Sequence, residues 1–132
     1  MRTIALIVAA ALALSACGSD EPSPSSSGDA PLADLTVTVD ADGEGGQAPK
    51  SAQFTCKEPT DSPACGAAAG ISEADLAPTE EGKACTQIFG GPETATIKGT
   101  IRGNAVDARF SRSDGCEIER WARVEPLLAQ VQ

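Results

Sequence analysis

The sequence contains no histidine and no tyrosine, and its 132 residues include only three phenylalanines and one tryptophan. Without histidine, the chain cannot build a Ser-His-Asp or Cys-His nucleophile, a histidine general base or a zinc site with histidine ligands. Basic residues are also few, because 10 Lys and Arg stand against 19 Asp and Glu, for a formal net charge of −9. Such a surface repels phosphate backbones, so nucleic acid is not expected as a partner.

The acidic residues do not point to an enzyme either. They are scattered along the chain, whereas carboxylate catalysis of the glycosidase type needs two carboxyl groups placed together in a cleft. We therefore expect a protein that is not an enzyme, with no catalytic residues, no cofactor and no metal ion.

The first 16 residues have the pattern of a targeting segment. Arg2 supplies a positive charge, and residues 4–14 form an unbroken apolar run of 11 residues, too short to span a bilayer as a helix. The run ends in Leu-Ser-Ala-Cys at residues 14–17, which resembles the bacterial lipobox. That resemblance implies a signal peptide over residues 1–16, a lipid anchor on Cys17 and attachment to the extracellular face of the cell membrane. An ordinary secretory signal, leaving Cys17 as a free thiol, is the alternative.

A flexible linker is predicted over residues 17–33, since residues 18–29 contain serine, proline, glycine and acids but no aliphatic side chain. The folded domain is then expected to occupy residues 34–132.

Four cysteines remain for this domain: Cys56, Cys65, Cys85 and Cys116. An even number in a small exported domain is typical of two disulfides. Of the three possible pairings we favour Cys56 with Cys65 and Cys85 with Cys116, although the sequence alone does not choose between them. A site in which all four thiolates bind a metal ion is disfavoured because no C-x2-C pair is present.

Alternating apolar and polar residues predict strands, and short segments with capping signals predict helices. An antiparallel sheet of about five strands is expected over residues 35–39, 52–56, 94–102, 104–110 and 121–125. Gly103 and Asn104 are expected in the turn between the third and fourth strands, and residues 40–46 as a solvated hairpin loop rather than a calcium site. Two short helices are predicted, one capped by Ser62 and ending at Gly70, the other starting near Ser72.

The segment over residues 83–92 joins the helical part to the last strands. It contains Cys85, then residues of extended preference, then Gly-Gly-Pro. We expect an extended loop held by a disulfide at one end, which is the kind of backbone that a substrate-like protease inhibitor presents to an enzyme.

The order of these features resembles the Streptomyces subtilisin inhibitor-like domain. The resemblance covers about residues 35–128 and is carried by Leu-Thr-Val-Thr at 35–38, Phe-Thr-Cys at 54–56, the spacing from Cys65 to Cys85, Ala-Cys-Thr-Gln-Ile-Phe at 84–89, Phe-Ser at 110–111 and Gly-Cys-Glu at 115–117. It implies an α+β domain with a five-stranded antiparallel sheet and two helices. It also implies a reactive loop of Cys85, Thr86, Gln87, Ile88 and Phe89. By the same resemblance the scissile bond joins Gln87 (P1) to Ile88 (P1′), and the domain can form a homodimer.

Two functions follow as hypotheses. The first is a membrane-anchored extracellular inhibitor of a subtilisin-like or trypsin-like serine protease. The second is a cell-envelope lipoprotein that uses the same scaffold for structural or binding purposes without inhibiting a protease.

Overall fold

A computed structural model describes residues 30–43 and 45–131. The predicted signal peptide, the lipidated Cys17 and residues 17–29 of the predicted linker lie outside these residues, so those interpretations stay predictions. None of the helices in the described part of the chain is long and apolar enough to cross a bilayer.

The fold is α+β, with one four-stranded antiparallel sheet in the order β2-β1-β3-β4. The strands are β1 (Ala33–Asp40), β2 (Lys50–Cys56), β3 (Thr94–Ile101) and β4 (Asn104–Phe110). The helices of the described residues are α1 (Pro63–Gly70), α2 (Glu73–Leu76) and α3 (Gly115–Leu128). The class and the antiparallel sheet are confirmed, but the sheet has four strands where about five were predicted, and there are three helices where two were predicted.

The predicted fifth strand, residues 121–125, is part of α3. The buried residues along this helix follow a helical spacing, since Trp121, Val124 and Leu128 are buried while Ala122, which would share a strand face with Val124, is exposed. Asp114 caps the helix, its carboxylate accepting a hydrogen bond from the Glu117 amide at 3.0 Å. The alternation over these five residues therefore predicted the two-residue period of a strand where the chain has the 3.6-residue period of a helix.

The core lies on one face of the sheet. Along β1 the side chains of Leu35, Val37 and Val39 are buried, whereas Thr36 and Thr38 lie on the opposite face, as the alternation predicted. α1 and α3 pack on the buried face. The opposite face is polar and rich in threonine from β1 and β3.

The first helix begins and ends at the predicted residues, with Ser62 as its cap and Gly70 as its last residue. The Ser62 hydroxyl accepts a hydrogen bond from the Cys65 amide at 3.1 Å, and Pro63 occupies the first turn. Gly70 does not adopt the left-handed backbone for which glycine is often used at a helix end, because the chain leaves the helix through extended backbone at Ile71, whose amide donates to the Ala68 carbonyl.

The β3–β4 turn is centred one residue earlier than predicted, on Arg102 and Gly103, with φ values of 49° and 78°. Positive φ at both central residues suits the twist of a two-residue hairpin. Arginine is tolerated at this positive φ because its side chain makes compensating contacts. The Arg102 guanidinium donates hydrogen bonds to the carbonyls of Ile71 and Ala69 and so connects the turn to the end of α1.

A capping box starts α2. The Ser72 hydroxyl and the Asp75 carboxylate each accept a backbone amide of the other residue, and Arg123 of α3 lies 3.6 Å from Asp75. The side-chain and backbone hydrogen bonds from Ser72 lower the pKa of Asp75. Because the folded pKa is the lower one, this contribution to stability is present above the ordinary aspartate pKa and is lost as the pH falls through the folded value.

Gly99 in β3 is a position where we expect a large stability effect. Its φ is +133°, and a Cβ there would overlap the backbone carbonyl oxygen of Asp34 and lie 3.1 Å from the Leu35 Cα. Gly99→Ala should therefore lower the free energy of unfolding by about 2 to 4 kcal/mol, from backbone strain and from displacement of β1. Chemical denaturation measures the change. Gly70→Ala is the matched control, because nothing lies within 4 Å of its added methyl, and an equal loss in both variants would contradict the explanation.

Candidate functional site

The segment between α2 and β3 contains a long stretch without helix or strand, over residues 83–91. Within it Cys85 is half-buried, and Thr86, Gln87, Ile88 and Phe89 are exposed. Ile88 is 59% exposed and Phe89 is 70% exposed, and they are the exposed large hydrophobic residues among those that the structure describes. We call residues 85–90 the presented loop.

Both disulfides favoured from the sequence are present. Cys56 is bonded to Cys65, joining the end of β2 to α1, and Cys85 is bonded to Cys116 in the first turn of α3. The second bridge closes a sequence separation of 31 residues and fastens the start of the presented loop to the protein.

Two backbone hydrogen bonds hold the loop in addition to the bridge. The Gly115 amide donates to the Thr86 carbonyl at 2.9 Å, and the Gly90 amide donates to the Arg112 carbonyl at 2.8 Å. Both partners belong to residues 112–116, which we call the support segment. The presented loop is thus held before and after residues 87–89, and these three residues project from the protein between the two attachments.

The two attachments depend on glycine for close contact. A Cβ on Gly115 would overlap the Thr86 Oγ1, and a Cβ on Gly90 would lie 2.9 Å from the Ile118 Cδ1 and 3.2 Å from the Arg112 Cβ. At both attachments the missing side chain therefore lets the loop approach the support segment and α3 closely enough for the backbone hydrogen bonds to form.

An ion pair steadies the second attachment. The Arg112 Nη1 lies 3.2 Å from the Glu93 Oε1, with each side chain about one third exposed (33% and 31%). An ion pair at this exposure adds only modestly to stability. Its structural effect is to connect the support segment to Glu93, the residue that immediately precedes β3.

Gln87 does not extend away from the loop. Its Nε2 donates a hydrogen bond to the Cys85 carbonyl at 3.3 Å, so the neutral side chain is folded back along its own backbone.

An open groove of about 780 Å³ lies beside Phe89. Its wall is formed by residues from the loops that flank the sheet and from the polar sheet face: Thr38, Asp40, Asp42, Gly43, Gly45, Pro49, Pro92, Thr94, Ala95, Thr96 and Arg109. Phe89 itself lines one side of the groove, so the exposed surface of its ring and the groove are contiguous.

One grouping has the composition of a metal site, namely Asp114 with Cys85 and Cys116. Both sulfurs are joined to each other in the disulfide and cannot act as thiolate ligands. The Asp114 carboxylate is already used as the cap of α3. The grouping is therefore explained by the attachment of the presented loop.

The sequence indicated the five residues of the loop and its bridge but missed the support from Arg112 and Gly115. A lone arginine and a lone glycine near a cysteine carry no signal of contact with a loop so distant in the chain.

The chain matches no protein family, no curated protein and no solved structure.

Proposed function

We propose that this protein is an extracellular serine protease inhibitor that presents the bond between Gln87 and Ile88 to the enzyme as a substrate would. The observation that carries the proposal is the presented loop itself: exposed, without helix or strand, and attached on both sides of residues 87–89. The lipid anchor on Cys17, which would place the inhibitor at the cell membrane, rests on the lipobox resemblance, and two disulfides are consistent with export.

Pre-organisation is the physical basis of inhibition. An enzyme that binds a flexible peptide must pay to order its backbone, at about 1 to 2 kcal/mol per residue. In the presented loop much of that ordering has already occurred, because Thr86 and Gly90 are hydrogen-bonded to the support segment. Docking is therefore favoured over that of an ordinary substrate.

The same attachments explain why hydrolysis would gain little. After attack of the enzyme's serine on the Gln87 carbonyl, the acyl group remains attached through Cys85 and Thr86, while the new amine of Ile88 stays close through Gly90. The leaving amine cannot diffuse away, so re-formation of the peptide bond competes with attack by water. The complex persists instead of turning over.

The test is an inhibition assay of the full chain against a panel of extracellular serine proteases. We expect stoichiometric, competitive inhibition of at least one protease, and slow cleavage confined to the bond between Gln87 and Ile88 when mass spectra are recorded after long incubation. Ile88→Asp should abolish inhibition, since it places a charge at the enzyme contact, whereas Gln53→Ala, an exposed position on β2, should not. A chain that slows no protease would contradict the proposal and favour the non-inhibitory lipoprotein.

A further inference from the structure

The two sides of the proposed scissile bond differ in chemistry. On the primed side, Ile88 and Phe89 are adjacent, apolar and exposed by 59% and 70%. Single exposed hydrophobic residues are ordinary on protein surfaces. Two in succession, on a backbone attached at Thr86 and Gly90, form a contact surface that is already ordered before an enzyme arrives.

The non-primed side offers much less. Gln87 is neutral and its amide already donates to the Cys85 carbonyl, so entry into an S1 pocket would break that hydrogen bond without placing a charge or a large apolar group there. The Thr86 carbonyl accepts a hydrogen bond from the Gly115 amide. Its Oγ1 occupies the space where a Gly115 Cβ would lie, so its side chain is directed toward the support segment.

We infer that Ile88 and Phe89 supply most of the binding energy for the enzyme, and that the target is a serine protease with apolar S1′ and S2′ subsites and an uncharged S1 pocket. The inference rests on the proposed function and its scissile bond. A protease with a carboxylate at the base of S1 is disfavoured because Gln87 would leave that buried charge without a cation.

The groove beside Phe89 extends the contact. Two prolines (Pro49 and Pro92) and the threonines of β1 and β3 line part of it, and Asp40, Asp42 and Arg109 line the rest. The enzyme surface that surrounds S2′ would therefore meet a mixed wall of apolar, hydroxyl and charged groups. An aromatic side chain such as Phe89 buries about 150 to 250 Å² of surface when it is fully enclosed. A few residues that are buried in this way carry most of the binding energy in protein–protein interfaces.

The experiment compares the inhibition constants of full-chain variants against the protease that the wild-type chain inhibits most tightly. Phe89→Ala should raise the inhibition constant by about 30-fold or more. Phe89→Leu should retain most of the affinity, because it keeps an apolar group at the same place. Gln87→Ala should raise the constant by less than about threefold, since it removes only the group that hydrogen-bonds within the loop. Thermal unfolding of each variant establishes that the sheet is intact.

Three outcomes are distinguishable. A larger loss for Phe89→Ala than for Gln87→Ala, on an enzyme with an uncharged S1 pocket, supports the inference. A larger loss for Gln87→Ala, or tightest binding to an enzyme with an acidic S1 pocket, overturns the inference and leaves the proposed function standing. Failure of the wild-type chain to inhibit any protease in the panel overturns both.

Discussion

Loss of the bridge between Cys85 and Cys116 is expected to weaken protease inhibition by about 1000-fold. The bridge holds the first end of the presented loop, and we expect the neighbouring hydrogen bond from Gly115 to Thr86 to open without it. The backbone of residues 86–89 must then be ordered when the enzyme binds. At about 1 kcal/mol per residue this costs about 4 kcal/mol, which corresponds to roughly three powers of ten in affinity. The double variant Cys85→Ser, Cys116→Ser tests this in an inhibition assay, and faster cleavage at residue 87 should accompany the loss.

The other disulfide provides the matched control. The bridge between Cys56 and Cys65 closes a sequence separation of 9 residues, against 31 for the bridge at the loop, so chain entropy assigns it about 2.6 kcal/mol of stability against about 3.7 kcal/mol. The variant Cys56→Ala, Cys65→Ala should therefore unfold more easily than the wild-type chain yet inhibit normally at temperatures where it remains folded. Equal loss of inhibition in the two double variants would mean that the bridges act through overall stability.

Replacement of Gln87 by arginine should create inhibition of proteases that have a carboxylate at the base of the S1 pocket. The neutral amide cannot pair with that buried charge, whereas a guanidinium can form two parallel hydrogen bonds to it. Close charge pairs in enclosed interfaces contribute several kcal/mol, and about 3 kcal/mol would give a gain of at least about 100-fold for Gln87→Arg. Inhibition constants against a trypsin-class enzyme measure the effect.

Gln87→Met is the control for this gain. Methionine is unbranched and uncharged, so it should leave the affinity for a trypsin-class enzyme low while improving that for enzymes with an apolar S1 pocket, at about 0.8 kcal/mol for each methylene buried. If neither variant changes the inhibition of any enzyme, Gln87 does not enter an S1 pocket and the position of the scissile bond is wrong.

The strands of the hairpins could be predicted because their burial follows a local rule. Alternation of apolar and polar residues in β1 and β4 directly encodes which side chains face the core. The same rule failed at residues 121–125, where a stretch of five residues is too short to distinguish the period of a strand from that of a helix. The decisive evidence for α3 lies at its two ends, in the cap at Asp114 and in the buried pair Leu127 and Leu128.

The sequence alone indicated four strands, an even set of four cysteines and an extended segment that begins at Cys85, since each of these depends on neighbouring residues or on composition. Only the tertiary structure decided that Arg112 and Gly115 hold that segment, that Gln87 folds back, and that Ile88 and Phe89 stand side by side in solvent. These facts depend on backbone groups brought together from distant parts of the chain, and a backbone amide or carbonyl is the same in every residue other than proline. The folded arrangement of the sheet and α3 therefore determines which hydrogen-bond partner each backbone group finds, and no local sequence pattern predicts that partner.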